Sequence, residues 1–208
     1  QYAKNLTSLD LGQAQINLYL QPLSNQERLE RLRLYMLSHR LTLNFSPLST
    51  LPKLSSLYFG NVTADLTPLS TLPKLTHLGY TRSSLNVEVL SKHLTHLSIG
   101  DCPFGFIDLR ILATFEKLEE IHWPEACTDG NLASLAKVKT LRAILFGDDN
   151  VIGFDGDVTD LTEFVNAGGM SNGGLLDLRG NPLGLADPND PDHANIATLQ
   201  SRGVTVHY

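Results

Sequence analysis

The chain has 208 residues, 42% of them hydrophobic and 7% aromatic, with a formal net charge of −6. That length suits one large domain or one elongated array, and the basic stripe usual in a general nucleic-acid binder is not evident. No apolar run reaches the ~20 residues that cross a bilayer, no basic-then-apolar leader is evident, and two cysteines, Cys102 and Cys127, make no disulfide framework.

In chain order, residue 1 leads almost at once into Leu6, Leu9 and Leu11, as expected of a processed or trimmed chain. The same Leu-x-x-Leu-x-apolar frame recurs at Leu29/Leu32/Leu34, Leu54/Leu57/Phe59 and Leu75/Leu78/Tyr80. It continues at Leu94/Leu97/Ile99, Leu118/Ile121/Trp123 and Leu141/Ile144/Phe146. An eighth unit keeps Leu176 and Leu178, then Asn181 and Leu183, and residues 204–208 read as a last strand. First positions lie 23, 25, 21, 19, 24 and 23 residues apart, and the octapeptide PLSTLPKL stands at both 47–54 and 68–75. The second and third apolar positions alternate with polar ones, the period of a strand with one buried face. One unit cannot bury its own leucines, so neighbours must stack into a continuous core under one parallel sheet.

The connectors differ. Residues 46–53 and 67–74 read as short turns of helix or 3₁₀ structure, with Ser46 or Thr67 as cap and proline in the first turn. Residues 107–117, 131–139 and 160–167 read as fuller helices, the last with Asp160 and Glu163 as a capping box. Residues 168–174 form a loop. A final helix and edge strand are expected over about 193–208.

The repeated [ST]PLSTLPKLxxL stretch, and LDLRGNPL followed by IATLQSRGVTVHY, resemble the leucine-rich-repeat superfamily, its bacterial internalin-like branch in particular. The resemblance covers essentially the whole chain. It implies an α/β solenoid of about eight irregular repeats, residues 1–208 forming a single array. Strands would line a concave face, with short helices and 3₁₀ turns on the convex one. Such solenoids bind unrelated partners, so the fold does not fix the function. The ninth repeat position, where the superfamily prefers Asn, holds Ala14, Leu37, Val62, Ser83, Cys102, Ala126 and Asp149; only Asn181 matches fully, and Cys102 is an accepted substitute. Uneven turns are therefore expected.

The outward strand positions individualise the array. His77, His96 and Glu120 fall in one column of successive units, and His122 lies one outward position from Glu120. With strands ~4.8 Å apart, the four are read as solvated polar residues, as a pH-dependent contact patch, or as ligands for a zinc-type ion. Arg31, Arg33, Tyr35 and Met36 form a basic-aromatic patch of the type favoured at interfaces. Asp101 and Glu125 also fall among the outward positions. Tyr58 should face out, whereas Tyr80 should sit in the core with its hydroxyl near an edge. Asp187, Asp190 and Asp192, like Asp155, Asp157 and Asp160, read either as a calcium-binding loop or as ordinary Asp-rich turns. Cys102 and Cys127 fall after adjacent strands, as buried free thiols or as a bridge. Two glycosylation-type triplets, at 5–7 and 61–63, are set aside by the bacterial resemblance.

The expected function is a non-catalytic interaction module binding a protein or glycan through Arg31, Arg33, Tyr35, Tyr58, His77, His96, Glu120 and His122. The alternatives are a subunit of a cell-surface or extracellular assembly and a metal-binding protein using the His/Glu cluster. No cofactor, nucleic acid or membrane insertion is expected; self-assembly is allowed, and a secreted or surface location is favoured. The sequence holds no Gly-rich phosphate loop, G-x-S-x-G elbow or H-E-x-x-H helix.

Overall fold

Each described copy of the leucine frame folds as a short strand whose apolar residues point inward. The computed structural model describes residues 5–12, 19–35, 41–100, 109–123, 132–146, 158–171 and 173–208. They fall into two units, 1–97 and 98–208. Met36, Asp101, Cys102, Glu125, Cys127, Asp155 and Asp157 lie outside the described residues.

Unit 1 carries β1 (Ser8–Asp10), β2 (Arg31–Tyr35), β3 (Leu41–Leu43), β4 (Ser56–Gly60), β5 (Val62–Ala64), β6 (His77–Thr81) and β7 (Ser84–Leu85), and β8 (His96–Gly100) starts at its end. β1, β2, β4 and β6 pair in parallel in that order, one repeat apart. A second parallel sheet of β3, β5 and β7 was not expected from the sequence. Its strands are only two or three residues long, too short for a period to show. Val62 and Ala64 are its buried face, with Thr63 between them turned outward.

Unit 2 carries the rest of β8, then β9 (Glu120–His122), β10 (Ala143–Leu145), the helix α1 (Thr162–Asn166), β11 (Leu175–Asp177), the helix α2 (Pro191–Ser201) and β12 (Thr205–His207). β9, β10, β11 and β12 pair in parallel. The final helix and strand thus stand where the sequence placed them, with α2 starting slightly earlier. Asp190 caps α2, its carboxylate accepting from the Asp192 amide at 2.8 Å.

The frame leucines fill the interior. Leu29, Leu32, Leu34, Leu54, Leu57 and Phe59 are fully buried in unit 1, as are Leu118, Ile121 and Trp123 in unit 2. Third positions form aromatic ladders, Phe59 beside Tyr80 at 6.3 Å and Trp123 beside Phe146 at 5.6 Å. Leu6, Leu9 and Leu11 are only half-buried. A single carbonyl before each strand takes two amides of the next repeat: Glu30 O accepts from Ser55 and Ser56, Ser55 O from Thr76 and His77, and Thr76 O from Thr95 and His96.

Three local expectations are corrected. The turns Ser46–Thr50 and Thr67–Thr71 are 3₁₀ with proline in the first turn, but Ser46 and Thr67 do not cap them. The acceptors stand two residues earlier: Asn44 takes the Ser46 amide at 2.9 Å, and Asp65 takes the Thr67 amide at 2.9 Å and its hydroxyl at 2.6 Å. The fuller helices at 107–117 and 131–139 are 3₁₀ segments, Leu109–Thr114 and Ala133–Lys137. A 3₁₀ turn rises about 2.0 Å per residue against 1.5 Å in an α-helix, so it spans a short repeat with fewer residues. Where the repeat lengthens, between Ile144 and Leu176, an α-helix does form. It covers Thr162–Asn166, shorter than the expected 160–167, and its N-cap is Leu161 with no side-chain cap, so the expected capping box is replaced by Asp160 accepting from the Thr162 amide at 2.7 Å.

Turns are tied between repeats by side chains. Asn181 does what the ninth-position asparagine should: it donates to Leu178 O at 3.0 Å and accepts from the Val158 amide at 3.1 Å. Ser83 performs both tasks with one hydroxyl, donating to Thr81 O at 2.8 Å and accepting from the Val62 amide at 3.2 Å. Asn86 accepts from the Leu66 amide at 2.8 Å and donates to Asp65 at 2.7 Å.

Candidate interaction surface

Strand alternation aims the odd-numbered residues of β2 outward, and parallel in-register pairing lines them up across unit 1. One row runs Ser8, Arg31, Ser56, His77; the next runs Asp10, Arg33, Tyr58, Gly79; a third joins Tyr35, Gly60 and Thr81. The buried residues between them, Leu32, Leu57 and Leu78, anchor the strands from below.

Two mid-strand glycines shape this face. A Cβ on Gly79 would clash with the Tyr58 ring, 2.2 Å from Cδ1, and one on Gly60 would meet Thr81 Oγ1 at 2.6 Å and the Tyr35 ring at 3.2 Å. Each tyrosine therefore leans over bare backbone on the next strand. The Arg33 guanidinium lies over the Tyr58 ring, 5.3 Å from its centroid. Tyr35 remains 39% exposed. Partial burial holds its hydroxyl above the usual tyrosine pKa, Arg33 opposes this, and Tyr58 and Asp10 add to it. Tyr58 is half-buried on the outward side as expected, and Tyr80 is buried, which raises its hydroxyl pKa strongly.

His77 and His96 come together. Their rings stack 4.1 Å apart and 8° from parallel. Each Nδ1 is fixed by the preceding threonine, Thr76 Oγ1 at 2.9 Å and Thr95 Oγ1 at 2.8 Å. Thr95 Oγ1 also reaches Thr76 O at 3.2 Å, tying the His96 ring to the preceding strand. Imidazole lone pairs lie in the ring plane. Two nearly parallel planes aim them side by side, not at one point, so this stacked pair is poorly arranged to chelate a single ion.

Glu120 and His122 lie on β9 in unit 2, on either side of buried Ile121. Glu120 heads the row Glu120, Ala143, Leu175, Thr205, and His122 heads His122, Leu145, Asp177, His207. The second row holds a cluster missed from sequence. Asp177 is 5% exposed, receives the Arg179 Nε proton at 2.9 Å, and lies 3.8 Å from His207 Nδ1. The Arg179 hydrogen bonds hold its carboxyl below the usual carboxylate pKa, with burial opposing them. Extending the outward column into the eighth unit and last strand would have found it.

The acidic segment before α2 divides its carboxylates among structural tasks. Asp187 accepts from the Asn189 amide at 2.9 Å and Asp190 caps α2, while buried Asp192 accepts from the Leu161 amide and from Asn195 Nδ2, both at 2.9 Å. Asp160 is occupied by Thr162 in the same way. A cleft of about 410 Å³ in unit 2 is lined by Glu119, Lys139, Arg142 and Met170, but Lys139 Nζ already donates to Ala136 O at 2.7 Å. No described helix is long and apolar enough to cross a membrane.

No family model and no curated protein matches the chain. Solved structures do. An internalin from Listeria monocytogenes superposes with a TM-score of 0.60 at 22% identity, over 97% of this chain and 54% of its own. Internalin C2 from the same organism gives 0.55 at 22%, over 98% of this chain and 72% of its own. The chain thus spans about half the length of the first. Repeat frame, parallel strands, 3₁₀ connectors and these superpositions lead to one conclusion: the chain is a leucine-rich-repeat solenoid, similar in fold to the bacterial internalins.

Proposed function

We propose that this protein is a non-catalytic, bacterial, secreted or surface-exposed interaction module, and that it holds a protein partner on the outward face of its strands. The observation that carries the reading is the face of unit 1, where the Arg33 guanidinium lies over the Tyr58 ring and Tyr58 leans on the backbone of Gly79. Arginine and tyrosine are the residues most often found as binding anchors, and here they are pre-positioned before any partner arrives. Arg31, Tyr35, His77 and His96 extend the face; Glu120 and His122 give unit 2 its own polar outward positions. The repeat frame persists through both units, which supports a single array over 1–208.

The test is a binding measurement with partners isolated from the native source. Alanine at Tyr58, His96 and His122 should each weaken binding, Tyr58 by about 2 kcal/mol as for a typical anchor. Unchanged affinity in all three would move the site off this face. A second reading is a structural subunit of an extracellular or cell-surface assembly, in which copies of the chain pack on one another. Light scattering that finds only monomer at high concentration would remove the self-assembly.

A further inference from the structure

The outward strand positions of unit 1 run against the charge of the whole chain. The chain is −6 overall, yet these positions hold two arginines, two histidines and one carboxylate, Asp10. That carboxylate is already engaged, because Asp10 Oδ1 accepts from the Gly12 amide at 2.8 Å. Among the described residues no hydrogen bond or ion pair engages the guanidinium of Arg31 or Arg33. Both arginines are exposed.

Arg33 is nevertheless not loose. Its Cζ lies 5.3 Å from the Tyr58 ring centroid, within cation–π reach, and its planar N–H fork is engaged by no acceptor among the described residues. That fork matches the two oxygens of a carboxylate, in the strongest kind of hydrogen-bonded pair available to a protein. Tyr58 is itself held over Gly79, where any side chain would displace it. The ordering entropy of a long side chain is therefore largely spent before binding. Arg31 stands two residues away on the same strand face, with the side chain of Leu32 between them turned inward.

Building on the interaction reading above, we infer that the face formed by Arg31, Arg33 and Tyr58 receives a carboxylate-bearing segment of a protein partner, an Asp- or Glu-rich stretch, with Arg33 as its principal anchor. The aromatic surface of Tyr35 beside it suits an apolar neighbour in that segment.

The probe is a random dodecapeptide display library panned on the intact chain, followed by fluorescence anisotropy of the recovered peptides against variants. Recovered peptides should be enriched in Asp and Glu. Their affinity should fall about tenfold or more in Arg33→Ala, in line with loss of one charged pair. Arg33→Lys should recover little of it, because lysine lacks the fork. Arg31→Ala, a change at an exposed position, serves as a second variant that leaves the Arg33–Tyr58 contact in place and should also weaken binding.

Peptides without acidic enrichment that still weaken in Tyr58→Ala would overturn the acidic partner and leave the interaction face standing. Peptides indifferent to Arg33, Tyr58 and His96 together would overturn both readings. Full recovery by Arg33→Lys would overturn the fork as the recognition element. Tighter binding of heparin than of any acidic peptide, lost in Arg33→Ala, would replace the protein segment with an acidic polysaccharide.

Discussion

Asp177 is a carboxylate almost closed to solvent, kept ionised by Arg179 and by the nearby His207 ring. Its folded-state pKa is depressed, so the stability it contributes is complete above the ordinary carboxylate pKa and is lost as pH falls through the folded value. Melting temperature followed from neutral pH into the acid range should therefore fall below about pH 4, and Asp177→Asn should flatten that fall. At neutral pH the same change should destabilise by about 1–2 kcal/mol, since Arg179 is nearly half exposed and can return to water. An identical acid limb in wild type and variant would show that Asp177 is not a source of it. The residue scale is also where sequence reading ran thinnest. Arg31, Arg33 and Tyr58 were found from column position alone, because parallel pairing copies a sequence column into a spatial row. The seating of Tyr58 on Gly79 was not readable, because it depends on which way a ring leans. The stacking of His77 on His96 was foreseen only as proximity.

Among the elements, the strands were the most legible part. Leu57 and Phe59, or Ile121 and Trp123, alternate with outward residues and admit no other assignment once the frame repeats. The connectors were less legible, since a five-residue 3₁₀ segment and one turn of α-helix want the same residues: ASLAK at 133–137 would suit either. Only the distance to be spanned decides between them. Turn chemistry was half legible. Asn181 was recognised, but Ser83 was counted as a departure although its hydroxyl does the same work. Removing that hydroxyl should leave the buried Val62 amide without an acceptor. Ser83→Ala is expected to lose about 1–2 kcal/mol in urea unfolding, and Ser83→Asn, the residue preferred at this position, to lose less. Equal midpoints for wild type and Ser83→Ala would mean that the 3.2 Å contact to Val62 carries no weight.

For the whole molecule, the governing fact is that each coil is stabilised only by its neighbours. Coils flanked on both sides bury their leucines completely, as Leu32 and Leu57 show, whereas Leu9 in β1 does not. Opening free energy should therefore vary along unit 1. In hydrogen exchange the amides of β1 are expected to be less protected than those of β4 by about tenfold or more, the factor equivalent to about 1.4 kcal/mol. Equal protection of β1 and β4 would mean that something covers the first coil in solution.

The chain has one tryptophan, and Trp123 sits wholly inside unit 2, stacked 6° from parallel on Phe146, its Nε1 without a hydrogen-bond partner among the described residues. An indole in so dry a setting emits to the blue of one in water, so the native protein carries a built-in optical label on a single half of its sequence. Fluorescence-detected denaturation will report the melting of that half. Tyrosine absorbance weights the other, which holds Tyr2, Tyr19, Tyr35, Tyr58 and Tyr80 of the six tyrosines. Whether the two signals coincide is a direct reading of how far cooperativity extends along the repeats.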